Sequence, residues 1–190
     1  MTQEEVLKGF TDALGSESHP FHLDGSEVHV LHSPDEYYRE LRAQIQGAKR
    51  HVALSALYLG TGEMESTLID DLGDLLEREP QVKVTFIFDF NRAHRLWQLG
   101  DNNKQEVPQF HTLLPLLRKY GEKRVSLKLY EMPPTSALKQ RMSQQAKEIL
   151  GVYHVKFSMV DDNVIVTGAN LSEEYFDNRQ DRYLVVPGGA

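Results

Sequence analysis

Apolar positions along the chain switch between two periods, and the alternation of those periods predicts an α/β fold. Val6, Phe10 and Leu14 recur every four residues, which predicts a short amphipathic helix over residues 2–14 acting as a packing arm. Ser16–Gly25 mixes Gly, Ser, Pro and His as loops do, and Glu27-Val28-His29-Val30-Leu31 alternates like an entering strand. Ser33-Pro34-Asp35-Glu36 has the order of a helix start, with Ser33 at the N-cap, Pro34 at the first helical position and Glu36 in capping-box register. Tyr37, Leu41 and Ile45 carry that helix to Gly47. The near-continuous apolar run His51–Leu59 suits a strand buried on both faces. Met64, Leu68, Leu72 and Leu75-Leu76 then mark a helix closed by Pro80, and Val82–Phe90 reads as a second strong strand. Strand, helix, strand in this order predicts a parallel crossover.

Phe110–Tyr120 predicts a further helix and Val125–Tyr130 a third strand. Leu138, Met142, Ile149 and Leu150 share a helical side with Lys139, Arg141 and Lys147, a pattern open to two readings, ordinary packing or contact with an anionic membrane surface. Val152–Val160 is the fourth strand, turned back at Asp161-Asp162-Asn163 onto Val164–Thr167. Gly168-Ala169-Asn170 leads to a short helix with Ser172 as its N-cap, and Tyr183–Val186 closes the set. The predicted organisation is an N-terminal arm (1–26), one α/β domain built on a mixed β-sheet flanked by helices (27–186), and a C-terminal end or linker (187–190). There is no internal repeat.

Composition narrows this picture little and function somewhat more. With 190 residues, 40% of them hydrophobic and 26% charged, the chain can bury one substantial core. A net charge of −7 argues against bulk electrostatic binding of nucleic acid, so no nucleic-acid partner is expected. The absence of cysteine removes disulfides and thiolate metal sites. His19, His22, His29 and His32 straddle a loop and a strand without a compact ligand spacing, so no metal is expected. No apolar run has the length of a membrane span, and the acidic start Met1-Thr2-Gln3-Glu4-Glu5 is unlike a signal or transit peptide.

The chemistry concentrates in Tyr153–Asp161, which reads H-x-K-x-x-x-x-D through His154, Lys156 and Asp161. On a strand, the period of two sets His154, Lys156 and Ser158 on one face for chemistry and Val155, Phe157 and Met159 on the other for the core. An imidazole with an ammonium two residues on offers one phosphorus atom both a nucleophile and a cation for its non-bridging oxygens. Arg92 and Arg95 follow the Val82–Phe90 strand, where open α/β sheets place ligands; phosphate binding and an incidental solvated loop stand level on position alone.

Together, His154-x-Lys156-x4-Asp161, the Gly168-Ala169-Asn170 turn and the polar cluster Asn178-Arg179-Gln180-Asp181-Arg182 resemble the phospholipase D superfamily and its HKD motif. Within it, Ser55-Ala56-Leu57-Tyr58-Leu59-Gly60-Thr61-Gly62, Asp89-Phe90-x-Arg92, Gly168-Ala169-Asn170-Leu171-Ser172 and Tyr175–Tyr183 resemble the N-terminal half of the phosphatidylglycerophosphate synthase family. The resemblance implies a phospholipase D-like lobe and phosphatidyl transfer from CDP-diacylglycerol to glycerol 3-phosphate without a cofactor, in cardiolipin synthesis. It implies that His154 is either the nucleophile or the acid that protonates the leaving group, that Lys156 stabilises the transition state, and that Asp161 holds the motif strand from its turn. Asp181 is the candidate to orient the histidine, the alternative being a surface carboxylate paired with Arg179 or Arg182. Substrate contacts fall on Tyr58, Arg92, Arg95, Asn170 and Ser172, although Ala169 stands where the superfamily's segment carries Ser and Asn170 falls one place early. The resemblance also implies a mitochondrial protein lying peripherally on the inner membrane.

Superfamily sites use two H-x-K motifs, and this chain holds one. A second lobe is therefore expected, either elsewhere in a longer chain or in a second copy of this one. Two rivals remain open: a homodimeric phosphodiesterase of the same superfamily acting on lipid or nucleic acid, and a non-catalytic lipid-binding lobe.

Overall fold

The computed structural model describes residues 2–17, 23–98, 106–133 and 151–188. The basic helical stretch 138–150 lies outside the described residues, as do His19 and His22. Helix α1 (Gln3–Glu17) forms where the periodicity places it, yet Val6, Leu7 and Leu14 are exposed, so they do not serve as a packing arm against the described domain.

Seven strands make one mixed sheet: β1 (His29–Leu31), β2 (His51–Ala56), β3 (Lys83–Asp89), β6 (Val125–Tyr130), β7 (Phe157–Val160), β8 (Asn163–Thr167) and β9 (Tyr183–Val186). Their spatial order is β1-β9-β8-β7-β2-β3-β6. The β2, β3 and β6 strands run parallel, as the predicted crossover requires, and β7, β8, β9 and β1 follow in antiparallel register. A small hairpin of β4 (Leu96–Gln98) and β5 (Glu106–Pro108) stands apart and had no counterpart in the sequence reading.

Helix α2 (Pro34–Gly47) starts at Ser33, whose Oγ accepts from the Glu36 N–H at 3.1 Å. Glu36 reaches one residue further back than a capping box needs and accepts from the His32 N–H at 2.7 Å. Helix α3 (Glu63–Arg78), a 3₁₀ turn (Gln109–Leu113) and helix α5 (Leu114–Tyr120) join α2 on one face of the sheet. That face carries Leu54, Phe86, Ile165 and Val185, which lie in one cross-strand row and are buried. Tyr37 stacks on Tyr183 at 4.8 Å between ring centroids, and Tyr38 packs on Phe176 at 4.7 Å, tying α2 to the segment between β8 and β9.

Two expectations about the motif strand need correction. Regular pairing begins only at Phe157, and residues 151–156 approach the sheet without ladder partners. The period of two holds, but the core side is the opposite one: Ser158 and Val160 are buried, whereas Val155 is 54% exposed and Phe157 and Met159 are half-buried. The physical reason is that the helices cover the face bearing Leu54 and Phe86, and Ser158 pairs with Leu54 and takes its side. Lys156 therefore emerges from the end of the core.

Candidate active site

The parallel strands end, and β7 and β9 begin, at the same edge of the sheet. Chain direction alone thus gathers Leu57 and Tyr58 after β2, Asp89 to Arg92 after β3, His154 and Lys156 before β7, Gly168 to Asn170 after β8, and Asp181 before β9.

The approach to His154 is held from three sides. Asp89, fully buried, accepts the Tyr153 N–H at 2.8 Å and also caps the short helix α4 (Phe90–Ala93) through the Arg92 N–H at 2.9 Å. Ser55 Oγ donates to the Val155 carbonyl at 3.0 Å and lies 2.9 Å from the Tyr153 hydroxyl. The Tyr153 ring meets Tyr130 at 5.4 Å. Neither Asp89 nor Ser55 figured among the residues expected to build the site; a carboxylate closing a strand looks like any helix cap in sequence.

His154 is exposed, while Lys156 is only 5% exposed, with Nζ donating to the His154 carbonyl at 3.1 Å. Partial burial, and then the Lys156 charge, push the His154 imidazole below its ordinary pKa. Burial also lowers the Lys156 ammonium, with Asp181 pulling it back up. A neutral imidazole beside a buried cation is the state in which a ring nitrogen has a free lone pair and the neighbouring cation awaits an anion.

Asp181 does not orient the histidine through a hydrogen bond. Its Oδ1 accepts from the N–H of Gly168 at 3.1 Å and of Arg182 at 2.7 Å. A Cβ at Gly168 would stand 2.7 Å from that oxygen, so the close approach requires glycine. The carboxylate braces the β8–β9 connection and acts on Lys156 through its charge. Asn170, also buried, accepts the Leu57 N–H at 3.2 Å and joins that connection to the end of β2. Asp161 lies at the far end of β7, in the turn, with φ +52°. Its carboxylate accepts the N–H groups of Lys49, Arg50 and His51 at 2.8, 2.7 and 2.9 Å, a brace at the end of β7 away from His154.

Beside this edge opens a cleft of about 670 Å³ lined by residues that include Tyr58, Glu65, Arg92, Arg95, Gln109 and Ser172. The Arg92 guanidinium sits over the Tyr58 ring at 5.0 Å. The expectation of Ser172 as a helix N-cap fails: its carbonyl, not its hydroxyl, accepts from Tyr175 and Phe176, and the following turn, Glu174–Asn178, is a π turn. Ser172 Oγ is buried without a partner, as is Glu65 Oε2, while Glu65 Oε1 accepts the Glu173 N–H at 2.7 Å. Burial raises the Glu65 pKa, backbone donors oppose the rise, and the Glu173 carboxylate adds to it. Among the described residues, no cluster of His, Asp and Glu could hold a metal ion.

The mixed sheet and the edge it builds define the class, a lobe with the phospholipase D fold. Solved structures agree on the fold: a phosphatidylserine synthase of Haemophilus influenzae superposes with TM-score 0.66 at 22% identity, covering 88% of this chain and 35% of that one. The phospholipase D family member Nuc of Salmonella typhimurium gives 0.53 at 15% identity, covering 85% and 82%. In sequence, the chain is a homologue of one segment of the proteins named CDP-diacylglycerol–glycerol-3-phosphate 3-phosphatidyltransferase. It is 39% identical over 171 residues to the human protein, named as mitochondrial, and 36% identical over 169 residues to that of Saccharomyces cerevisiae. These matches cover 86% and 87% of this chain, which spans only 29% and 30% of the relatives' length. No family model matches the chain.

Proposed function

We propose that this chain is one lobe of a phosphatidyltransferase that moves the phosphatidyl group of CDP-diacylglycerol to glycerol 3-phosphate. The observation that carries the reading is the coincidence of His154 and Lys156 at the ligand-binding edge of the fold with 39% identity to relatives named for that reaction. In the first step an imidazole nitrogen of His154 attacks the phosphorus that bears the diacylglycerol, a P–N bond forms, and the P–O bond to CMP breaks. Lys156 neutralises the non-bridging oxygens as their charge grows. The primary hydroxyl of glycerol 3-phosphate then attacks, the P–N bond breaks, and phosphatidylglycerophosphate leaves. A second H-x-K lobe supplies the acid for CMP and the base for the hydroxyl. The lowered His154 pKa favours nucleophile over acid for this residue. A mitochondrial location is supported by the relatives' names, and attachment to the inner membrane surface is proposed with it.

The test is CDP-diacylglycerol labelled in its phosphatidyl phosphorus, presented in mixed micelles with the complementary lobe. The parent is expected to form an acid-labile adduct that glycerol 3-phosphate discharges, and His154→Ala to form none. An equal adduct in the variant overturns the assignment. A homodimeric phosphodiesterase is the second reading, favoured by the Nuc chain, of which this chain covers 82%.

A further inference from the structure

The cleft beside the histidine edge contains more hydrogen-bonding capacity than the protein uses. Glu65 is 2% exposed and Oε2 has no partner; Ser172 Oγ and Gln109 Oε1 are likewise buried and unpartnered, and all three residues line the same cleft. Buried polar atoms are nearly always satisfied in a folded chain, so three around one cavity mark a place where a ligand completes the set. Two of them, the oxygen of an ionised carboxylate and an amide oxygen, accept only. The ligand must therefore bring donors. Arg92 and Arg95 line the same space, and their positive charge favours a ligand that also carries an anion. Inorganic phosphate or a plain phosphodiester suits the positive charge of the cleft and leaves the acceptors empty. A phosphate ester that also carries a vicinal diol satisfies both.

We infer that the cleft between the start of α3, α4 and the β8–β9 connection is a subsite for a phosphorylated vicinal diol, with Glu65 taking the hydroxyls and Arg92 and Arg95 the phosphate. Carboxylates serve ribose hydroxyls in the same way at the ends of other α/β sheets. The backbone is shaped for it: the Glu65 carboxyl and the Ser172 Cβ both press on Gly60, where a Cβ would fall 1.9 Å from Glu65 Oε1 and 3.0 Å from Ser172 Cβ. Only a glycine there lets the carboxylate reach the loop. Exposed Trp97 on β4 stands at the rim.

Two substrates of the proposed reaction share this chemistry, the ribose phosphate of the CMP moiety and glycerol 3-phosphate, so the inference rests on that reading for its candidates but not for its test. Calorimetric titration of this chain with glycerol 3-phosphate and n-propyl phosphate, and with CMP and 2′,3′-dideoxy-CMP, compares each diol with its diol-free partner. At least one diol ester is expected to bind about tenfold or more tightly than its partner. Whichever pair shows the preference names the substrate that occupies the cleft. Glu65→Gln keeps the acceptor for the Glu173 N–H and is expected to erase the preference while leaving inorganic phosphate binding unchanged. Arg92→Gln is expected to weaken every phosphorylated ligand. Ser172→Ala, which removes one hydroxyl, carries the test if Glu65→Gln loses its circular dichroism, and is expected to reduce the preference. Equal affinity for diol and diol-free ligands in the parent, no binding of any of the four, or a preference that survives both cleft variants overturns the subsite. Because no turnover is read, selective binding without an adduct at His154 removes the proposed reaction and keeps the subsite, and an adduct without selectivity does the reverse.

Discussion

At Lys156, stability and the proposed chemistry pull in opposite directions. A buried ammonium that donates to a carbonyl is costly, and an apolar side chain of similar length fits such a position without the desolvation penalty. Lys156→Met is expected to unfold at the same temperature as the parent or higher in calorimetry, while phosphatidyl transfer by the complete enzyme falls by about 100-fold or more. Asp161 is the contrary case, a residue of the motif that serves stability. Burial acts to raise its pKa, but backbone donors from His51, Lys49 and Arg50 and the Arg50 charge hold it below the ordinary aspartate value. A carboxylate depressed by folding stabilises at pH above its unfolded pKa of about 3.9, and that contribution is lost as pH falls through the lower folded value. Asp161→Asn tolerates the positive φ, so it isolates the charge. It is expected to cost about 1–2 kcal/mol in urea unfolding at pH 6, with the difference closing as the pH drops below about 4.

The β8–β9 connection turns strand geometry into a site. It is held by Asp181 on Gly168, by Asn170 on Leu57, and by Phe176 against Tyr38 and Tyr37. Gly168→Ala drives a Cβ into Asp181 Oδ1 and is expected to destabilise by about 1–3 kcal/mol, read as a lower urea midpoint. It also lowers activity, because the Asp181 charge leaves Lys156. Phe176→Ala empties a fully buried volume and is expected to cost about 3–5 kcal/mol in the same measurement. The elements themselves were largely legible. Parallel β2 and β3, the capped start of α2 and the hairpin at Asp161 followed from periodicity and turn chemistry. The length of β7 was not, because residues 152–156 have strand composition but meet side chains and caps, Asp89 and Ser55, where a strand would meet a ladder.

For the molecule as a whole, the sequence holds one H-x-K motif, whereas the proposed reaction calls for two. Light scattering on the purified chain separates the two architectures. A lobe of a longer enzyme is expected to be monomeric and to gain transferase activity only on mixing with its complementary lobe, whereas a homodimer active by itself supports the phosphodiesterase reading. The small β4–β5 hairpin beside the cleft went unread because three-residue strands carry too little pattern to stand out from loop. Glu65 escaped for a related reason: in the first turn of α3 it looks like any acid placed to suit a helix dipole.

Sequence by itself determined the order of elements, the direction of the parallel crossover, the motif His154-x-Lys156 and the family it resembles, because each is written in local spacing or in words of a few residues. Tertiary structure decided what depends on elements far apart in the chain. It chose the covered face of β7, since that depends on which side the helices take. It set Asp181 against the main-chain N–H groups of Gly168 and Arg182, since β8 and β9 must pair before Gly168 comes within its reach. It closed Glu65, Gln109 and Ser172 around one cleft, since residues 44 and 63 places apart meet only when the sheet is assembled.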